Sequence, residues 1–373
     1  MRILILNQIL YTAENYIIPV VSSIKDTMIY NLCLGFRQLG HSITLAAAAE
    51  YQPKEKEEYD FEILFFKSKY KKIFPPSILP YSPELQAYIK KHQASFDLLI
   101  SSEVFSFQSL LAARICPEKT IIWQELTDHQ NKFHRLPSKI WHNVIVRLFM
   151  QRIAAVAPRS GPAYKFISKY MPQTVKQIVD HGINVDKFTY SEKKERQIIS
   201  SSQLILRKNI DGIIRIFQQF HEMEAYKDIK LLIAGRGEEE ANLKKLVSEL
   251  KLSESVRFLG FLPQQTLNKY IRESLCFLIN TRKDLNMVSI PESIVSGTPI
   301  LTNTQPASAN YIKTYKLGIV QNQWGIPELE EIINNNSFYV KNCIAYRDNL
   351  ANSHIAQTFL DIFQDKKIAE NIK

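Results

Sequence analysis

Short, uninterrupted apolar runs alternate with amphipathic stretches along this 373-residue chain, and the series restarts once. The runs 2–6, 42–47, 61–66, 97–101, 120–124 and 153–157 have strand length and are rich in branched residues. Helical patterns lie among them at 26–39, 83–92, 107–115, 138–151 and 161–171. A strand that is apolar on consecutive residues buries both faces, which predicts parallel sheets covered by helices on either side. After a polar, charged stretch (185–196, VDKFTYSEKKER) the pattern resumes. Strands are expected at 197–202, 229–234, 256–259, 275–280 and 299–302, and helices at 211–221, 238–251, 265–273 and 289–296. The fold class is therefore α/β, with two doubly wound Rossmann-like domains. Their expected limits are 1–184 and 197–351, joined by a linker at 185–196, with a final helix at 352–373 that can pack back on the first. Ligands of open α/β sheets bind beyond the carboxyl ends of the strands, so two such sheets facing each other would enclose a cleft.

Composition narrows the classes. The chain is 45% hydrophobic and 23% charged, which excludes disordered and fibrous proteins and lets each domain close its own core. Cys33, Cys116, Cys276 and Cys343 lie at least 67 residues apart with no CxxC pair, so neither a zinc site nor a disulfide framework is expected. The opening MRILILNQIL is interrupted by Asn7 and Gln8 and does not read as a secretory signal. No uncharged apolar run approaches the roughly 18 residues of a membrane span. A soluble or peripheral protein is expected.

Three segments of the second half carry residues suited to chemistry. In SSSQLILRKNIDG (200–212), Arg207 and Lys208 fall in a strand-to-helix turn, where cations and free backbone N–H groups suit a phosphate. A solvated basic turn explains the same residues. In KLLIAGRG (230–237) a buried strand runs into Gly-Arg-Gly, which allows close approach of backbone but lacks the dinucleotide fingerprint. In DLNMVSIPE (284–292), Asp284 and Glu292 are placed across a loop and helix start so that both can face one ligand. Carboxylates accept hydrogen bonds from sugar hydroxyls; a helix-start acid beside an unrelated loop acid is the alternative.

In this order and spacing the three segments resemble the C-terminal half of GT-B glycosyltransferases of family 4, the retaining group 1 enzymes. The family's G-R-L-x3-K-G, G-x-G, F-L-G and E-x7-E segments correspond to Ser202-Gln203-Leu204-x3-Lys208-Asn209, Gly235-Arg236-Gly237, Phe258-Leu259-Gly260 and Asp284-x7-Glu292. His181-Gly182-Ile183-Asn184-Val185-Asp186 is similar to its inter-domain N-G-V-D segment. The resemblance implies GT-B architecture, with two parallel sheets facing across a cleft. It implies a hexosyltransferase that holds a UDP- or GDP-sugar in the C-terminal domain, needs no metal and uses no other cofactor. Carried across, Lys208 would bind the diphosphate, with Gln203 and Arg207 beside it. Glu292 would hold the ribose, and Asp284, Asn286, Met287 and Val288 the sugar. Departures from the pattern are Gln203 for arginine, Asp284 for glutamate, and Leu285-Asn286-Met287 where the family has G-F-G. In the first domain, Glu125 takes the place of a sugar-contacting histidine, with His129 just beyond; either could accept a hydroxyl proton near neutral pH. A catalytically degenerate binding module and a sugar-nucleotide epimerase of the same fold are the competing readings.

Charge adds a partner. The net charge is +10, of which +8 falls before residue 180, and 129–179 holds nine basic residues and no acid. Within it, KIWHNVIVRLFMQRI (139–153) mixes Lys139, Arg147 and Arg152 with Trp141, Phe149 and branched aliphatics. A second segment, FFKSKYKKIFPPSILPY (65–81), sets Lys69, Lys71 and Lys72 among aromatics. Such basic, aromatic segments suit an anionic membrane surface; a core helix with a basic outer face is the alternative, and no nucleic-acid motif is present. The resulting expectation is a peripheral enzyme at the cytoplasmic face of the cell membrane. It would extend a capsular or other surface polysaccharide on a polyprenyl-phosphate-linked saccharide acceptor.

Overall fold

In the computed structural model, which describes residues 1–11, 17–283 and 287–371, the chain divides into two compact units. The first comprises Met1–Ile183 and Ala351–Lys373, the second Asn184–Leu350. In the first, β1 (Arg2–Leu6) is buried from Ile3 onward, as its unbroken RILIL sequence requires of a strand covered on both faces. Around it lie β2 (Ser42–Ala48), β3 (Glu62–Phe66), β4 (Leu98–Ser102), β5 (Thr120–Gln124) and β6 (Ala155–Pro158), in the order β3-β2-β1-β4-β5-β6. Every neighbouring pair is parallel.

The second unit repeats this plan. Its strands are β7 (Gln197–Ser201), β8 (Lys230–Ala234), β9 (Val256–Gly260), β10 (Phe277–Leu278), β11 (Ile300–Thr302) and β12 (Gly318–Val320), ordered β12-β11-β10-β7-β8-β9 and again all parallel. Read from the other edge, this is the order of the first sheet. Each sheet therefore reverses its winding once, at β1/β4 and at β7/β10, which is where doubly wound folds place ligands.

The chain leaves the first unit and returns to it side by side. Ile183 bridges Ala351, and the Asn352 N–H donates to the Ile183 carbonyl at 3.0 Å. The helix Asn352–Asn371 then lies on the helix Met28–Gln38. Gly35 makes this contact possible, since a Cβ there would stand 2.2 Å from the Asn352 carbonyl oxygen. Phe359 reaches past it to Phe36 and the edge of Trp123.

Two expectations change. The stretch 185–196 is built into the second unit: Thr189 donates its N–H and hydroxyl to Asn268, each at 3.1 Å, and the Arg347 guanidinium binds the Val185 and Phe188 carbonyls. Trp141 does not face outward. It is buried, its indole N–H donating to the Val104 carbonyl at 2.9 Å and its ring edge-on to Phe105 and Phe107. The reason is helical phase. Residues 136–149 form one helical run with a π-helical turn at Trp141–Ile145, and Trp141, His142 and Val146 share the inward side. The outward side carries Leu136, Ile140, Val144 and Leu148 at four-residue intervals, each between 46% and 67% exposed, with Lys139 and Arg147 also exposed. Of the other outward candidates, Lys71 pairs with Glu50 at 2.8 Å and Arg152 lies 3.7 Å from Glu118, while Lys69 and Lys72 are exposed. No helix among the described residues is long and apolar enough to cross a membrane.

Lys194, within the same 185–196 stretch, donates its Nζ to the Arg272 carbonyl at 2.7 Å and to the Thr298 hydroxyl at 3.0 Å. Burial pushes its pKa down to about 7. An unfolded lysine titrates near 10.4, so between about pH 7 and 10 the unfolded chain binds the proton and the folded chain does not. Stability from this residue is full above pH 10 and is lost as pH falls toward 7. Chemical denaturation should therefore show the wild type gaining stability relative to Lys194→Met as pH is raised from 7 to 10. An equal pH dependence in the two proteins would disprove the assignment.

Candidate active site

In the second unit the described residues among those predicted for donor binding lie at the carboxyl edge of the sheet. Beyond β7 the chain makes a short 3-10 turn, Leu206–Lys208, and Asn209, at φ 55°, turns it into the helix Ile210–His221. Lys208 thus precedes a helix N-terminus, with Gln203 and Arg207 exposed before it. The turn is held from the exit of β10. The Arg207 carbonyl accepts from the Arg282 N–H at 2.8 Å and the Thr281 hydroxyl at 3.2 Å. The Arg282 guanidinium also binds the Leu206 carbonyl and pairs with Asp211 at 3.3 Å.

The Gly-Arg-Gly loop after β8 packs directly on this turn. The Leu204 N–H donates to the Arg236 carbonyl and the Glu239 N–H to the Leu204 carbonyl, both at 2.9 Å. A Cβ at Gly235, where φ is +129°, would lie 1.8 Å from the Ser202 carbonyl oxygen, and one at Gly237 2.2 Å from that of Leu204. These glycines serve loop-on-loop contact, which accounts for their presence without a ligand.

Glu292 lies in the first turns of the helix Ser289–Val295, and one of its oxygens accepts from the Gln264 amide at 2.9 Å. Gln264 opens the helix Gln264–Glu273 after β9, a partner with no sequence signal of its own. Met287 turns its side chain inward and Val288 leaves its own exposed. Asp284 and Asn286 lie outside the described residues. Among the described residues no group of three His, Cys, Asp or Glu side chains is placed to hold a metal ion.

In the first unit Glu125 and His129 separate into different environments. His129 is engaged at both ring nitrogens, with the Ser138 hydroxyl and the Tyr170 hydroxyl, each at 3.2 Å, and packs against His142 and Phe166. Burial lowers its pKa, and lowers that of His142 to about 4. Glu125, at the exit of β5, forms an ion pair with Arg159 at the exit of β6. The Arg159 side chain is 5% exposed; its guanidinium covers the Trp123 ring at 4.5 Å and approaches His181, which in turn meets Asp180 at 2.9 Å.

Sequence reading missed a further member, Glu103, the first residue beyond β4. Its carboxylate accepts the Glu125 N–H at 2.8 Å and the Leu126 N–H at 3.3 Å. Burial, and then the Glu125 charge, push its pKa up to about 8. One available signal was its position: a lone acid in SSEVFSFQ, directly after a strand end at the switch between β1 and β4.

Comparison with known proteins now bears on this geometry. Residues 184–335 match the family model of the glycosyl transferases group 1. The alpha-monoglucosyldiacylglycerol synthase of Streptococcus pneumoniae is 24% identical over 190 residues, covering 47% of this chain and 43% of that protein. The O-antigen biosynthesis glycosyltransferase WclY of Escherichia coli is 24% identical over 297 residues, covering 74% and 77%. The chain spans about half the length of the first curated relatives it matches. The crystal structure of Anabaena HepE in complex with UDP and glucose superposes with a TM-score of 0.62 at 14% identity, over 97% of this chain and 99% of that one. The fold is GT-B.

Because Gly235 combines a positive φ with backbone overlap, Gly235→Ala should lower stability by about 3–4 kcal/mol in urea unfolding. Gly40→Ala, at φ +80° but with nothing within 4 Å of the added carbon, should cost only about 1 kcal/mol. Equal costs would remove the packing explanation.

Proposed function

We propose that this protein, whose residues 184–335 match the family model of the glycosyl transferases group 1, transfers a sugar, with retention, from a nucleotide sugar to a lipid-linked saccharide. The observation that carries the reading is the placement of Lys208 and Glu292. Both sit at the carboxyl edge of the second sheet, inside the segment that matches the family.

The departing nucleotide develops the largest charge of such a reaction, and fixed cations with helix N–H groups stabilise it without reorganising. Lys208, before the helix Ile210–His221, supplies this, with Arg207 and Gln203 at the rim. These groups do the work elsewhere done by a divalent ion, and we assign no metal or other cofactor. Glu292, hydrogen-bonded by the Gln264 amide, would hold the ribose hydroxyls of a UDP- or GDP-sugar. To the transferred sugar we assign Asp284, Asn286, Met287 and Val288. On the acceptor side we favour Glu125 over His129, because both His129 nitrogens are already engaged within the unit.

The apolar row Leu136, Ile140, Val144 and Leu148, flanked by Lys139 and Arg147, supports docking on an anionic bilayer at the inner face of the cell membrane. An acceptor carried there on polyprenyl phosphate, in the assembly of a surface or capsular polysaccharide, fits this arrangement. The relatives named for glycolipid and O-antigen synthesis favour the same class of substrate.

A thermal-shift screen over UDP- and GDP-sugars should find a stabilising donor. With that donor and vesicles carrying a polyprenyl-phosphate-linked saccharide, Lys208→Ala and Glu292→Ala should each cut turnover by roughly 100-fold or more; unchanged turnover would refute the site. Separately, Ile140→Asp with Leu148→Asp should lower sedimentation with anionic vesicles by about tenfold. No preference of the wild type for anionic over neutral vesicles at low salt would remove the membrane assignment.

A further inference from the structure

Two exposed lysines of the first unit meet at His129. This histidine lies on the loop that leaves β5, four residues beyond Glu125, and its ring is clamped on both sides. The Ser138 hydroxyl stands 3.2 Å from its Nδ1 and the Tyr170 hydroxyl 3.2 Å from its Nε2, while the Ser138 hydroxyl also accepts the Gln130 N–H at 3.3 Å. Lys139 follows Ser138 and Lys169 precedes Tyr170, so the two clamps carry both cations to the loop. Both side chains are exposed, and among the described residues neither pairs with an acid. Asp128, the acid beside His129, is taken by Arg135 at 2.6 Å. Burial lowers the His129 pKa; Asp128 opposes this, and the Lys139, Arg135 and Lys169 charges each add to it.

Lys139 belongs to two features at once. Leu136, Lys139 and Ile140 are spaced three and four residues apart on one helical turn, which makes them neighbours on its outer side. The exposed aliphatic row therefore starts beside the lysine pair. Leading away from β5, this unit presents the Glu125 carboxylate, then two cations, then aliphatic side chains. The ligand that matches this order carries a hydroxylated sugar, a phosphate and a hydrocarbon chain. Inorganic phosphate would leave the row unused, and a neutral lipid would leave two like charges side by side without a counter-charge.

We propose that Lys139 and Lys169 bind the phosphate of the polyprenyl-phosphate carrier, setting its saccharide toward Glu125 and its hydrocarbon chain along Leu136 and Ile140. The proposal rests on the lipid-linked acceptor given above. Its consequence is that the carrier is recognised through its phosphate and not through its sugar alone, so that the same chain ending in an alcohol binds weakly. Lysine ammonium groups act as compact point charges, which suits a phosphate whose orientation is fixed by the groups on either side of it.

The test uses the full-length protein without vesicles, so that docking on a bilayer does not enter, with geranyl phosphate, geraniol and inorganic phosphate as probes. By calorimetry the wild type should bind geranyl phosphate about tenfold or more tightly than either other probe, and less tightly as salt is raised. Lys139→Gln combined with Lys169→Gln should abolish that preference. Lys165→Gln combined with Lys176→Gln removes the same charge from exposed lysines of the same acid-free run and should keep it. No preference in the wild type, or equal losses in the two double variants, would overturn the proposal. In 15N NMR the His129 ring should titrate at higher pH with geranyl phosphate bound and also, without ligand, in the Lys139 and Lys169 double variant. A titration unmoved in both cases would equally overturn it. In the vesicle transfer assay that variant should raise the acceptor KM about tenfold at an unchanged donor KM. If the phosphate preference holds while no nucleotide sugar supports transfer, the transferase reading is what fails.

Discussion

A strand that runs parallel to its neighbours cannot return by a tight turn; it must cross over one face of the sheet and come back to the same starting edge. Among the described residues twelve strands obey that constraint, six in each unit. All the loops that follow strands in one unit therefore collect along one edge, whatever their sequences. The single reversal of winding then opens a gap between two diverging helices at β1/β4 and again at β7/β10. Lys208 follows β7 and Arg282 follows β10, while Glu103 follows β4. Their positions are consequences of topology before any ligand is considered.

The two edges are stiffened differently. In the second unit backbone does the work: glycines let the β8 exit lie on the β7 exit, and Arg282 ties the Leu206 and Arg207 carbonyls from the other side. The Lys208 ammonium is thus presented by a turn whose own polar groups are largely engaged. In the first unit charged side chains take that part, with Glu103 bonding the Glu125 backbone and Arg159 pairing with its carboxylate over Trp123. Charged groups in low dielectric titrate away from their ordinary ranges, whereas a backbone clasp does not.

Most of this plan was legible in the sequence because fully buried strands leave unbroken apolar runs: 2–6 and 120–124 coincide with β1 and β5 to the residue. β12 was not, since three residues, Gly-Ile-Val, are too short to show a period. The helices between 309 and 346 escaped for a related reason, being short or broken by Asn335 between two helical turns. Lys208 and Glu292 were singled out through spacing, which a loop of fixed length preserves. Gln264 and Glu103 could not be found that way, because their roles depend on which loop folds against which. Trp141 was misplaced because composition cannot assign helical phase, and a π-helical turn shifts that phase within one segment.

Composition likewise overstated what the basic residues of 129–179 have in common. Arg159 belongs to the interior, tied to Glu125 and stacked on Trp123. Arg135 pairs with Asp128 at 2.6 Å, and Arg152 lies near Glu118. Charge on this unit is therefore partly neutralised by acids from outside the acid-free run, and net charge alone would attract any polyanion weakly and without orientation. The apolar row at 136, 140, 144 and 148 changes the argument. Nucleic acid offers such a row nothing, and solvent penalises it, but a bilayer interface receives aliphatic side chains and anionic headgroups can meet Lys139 and Arg147 beside them. The aliphatic row, rather than the charge, is what favours the proposed membrane over the other polyanions.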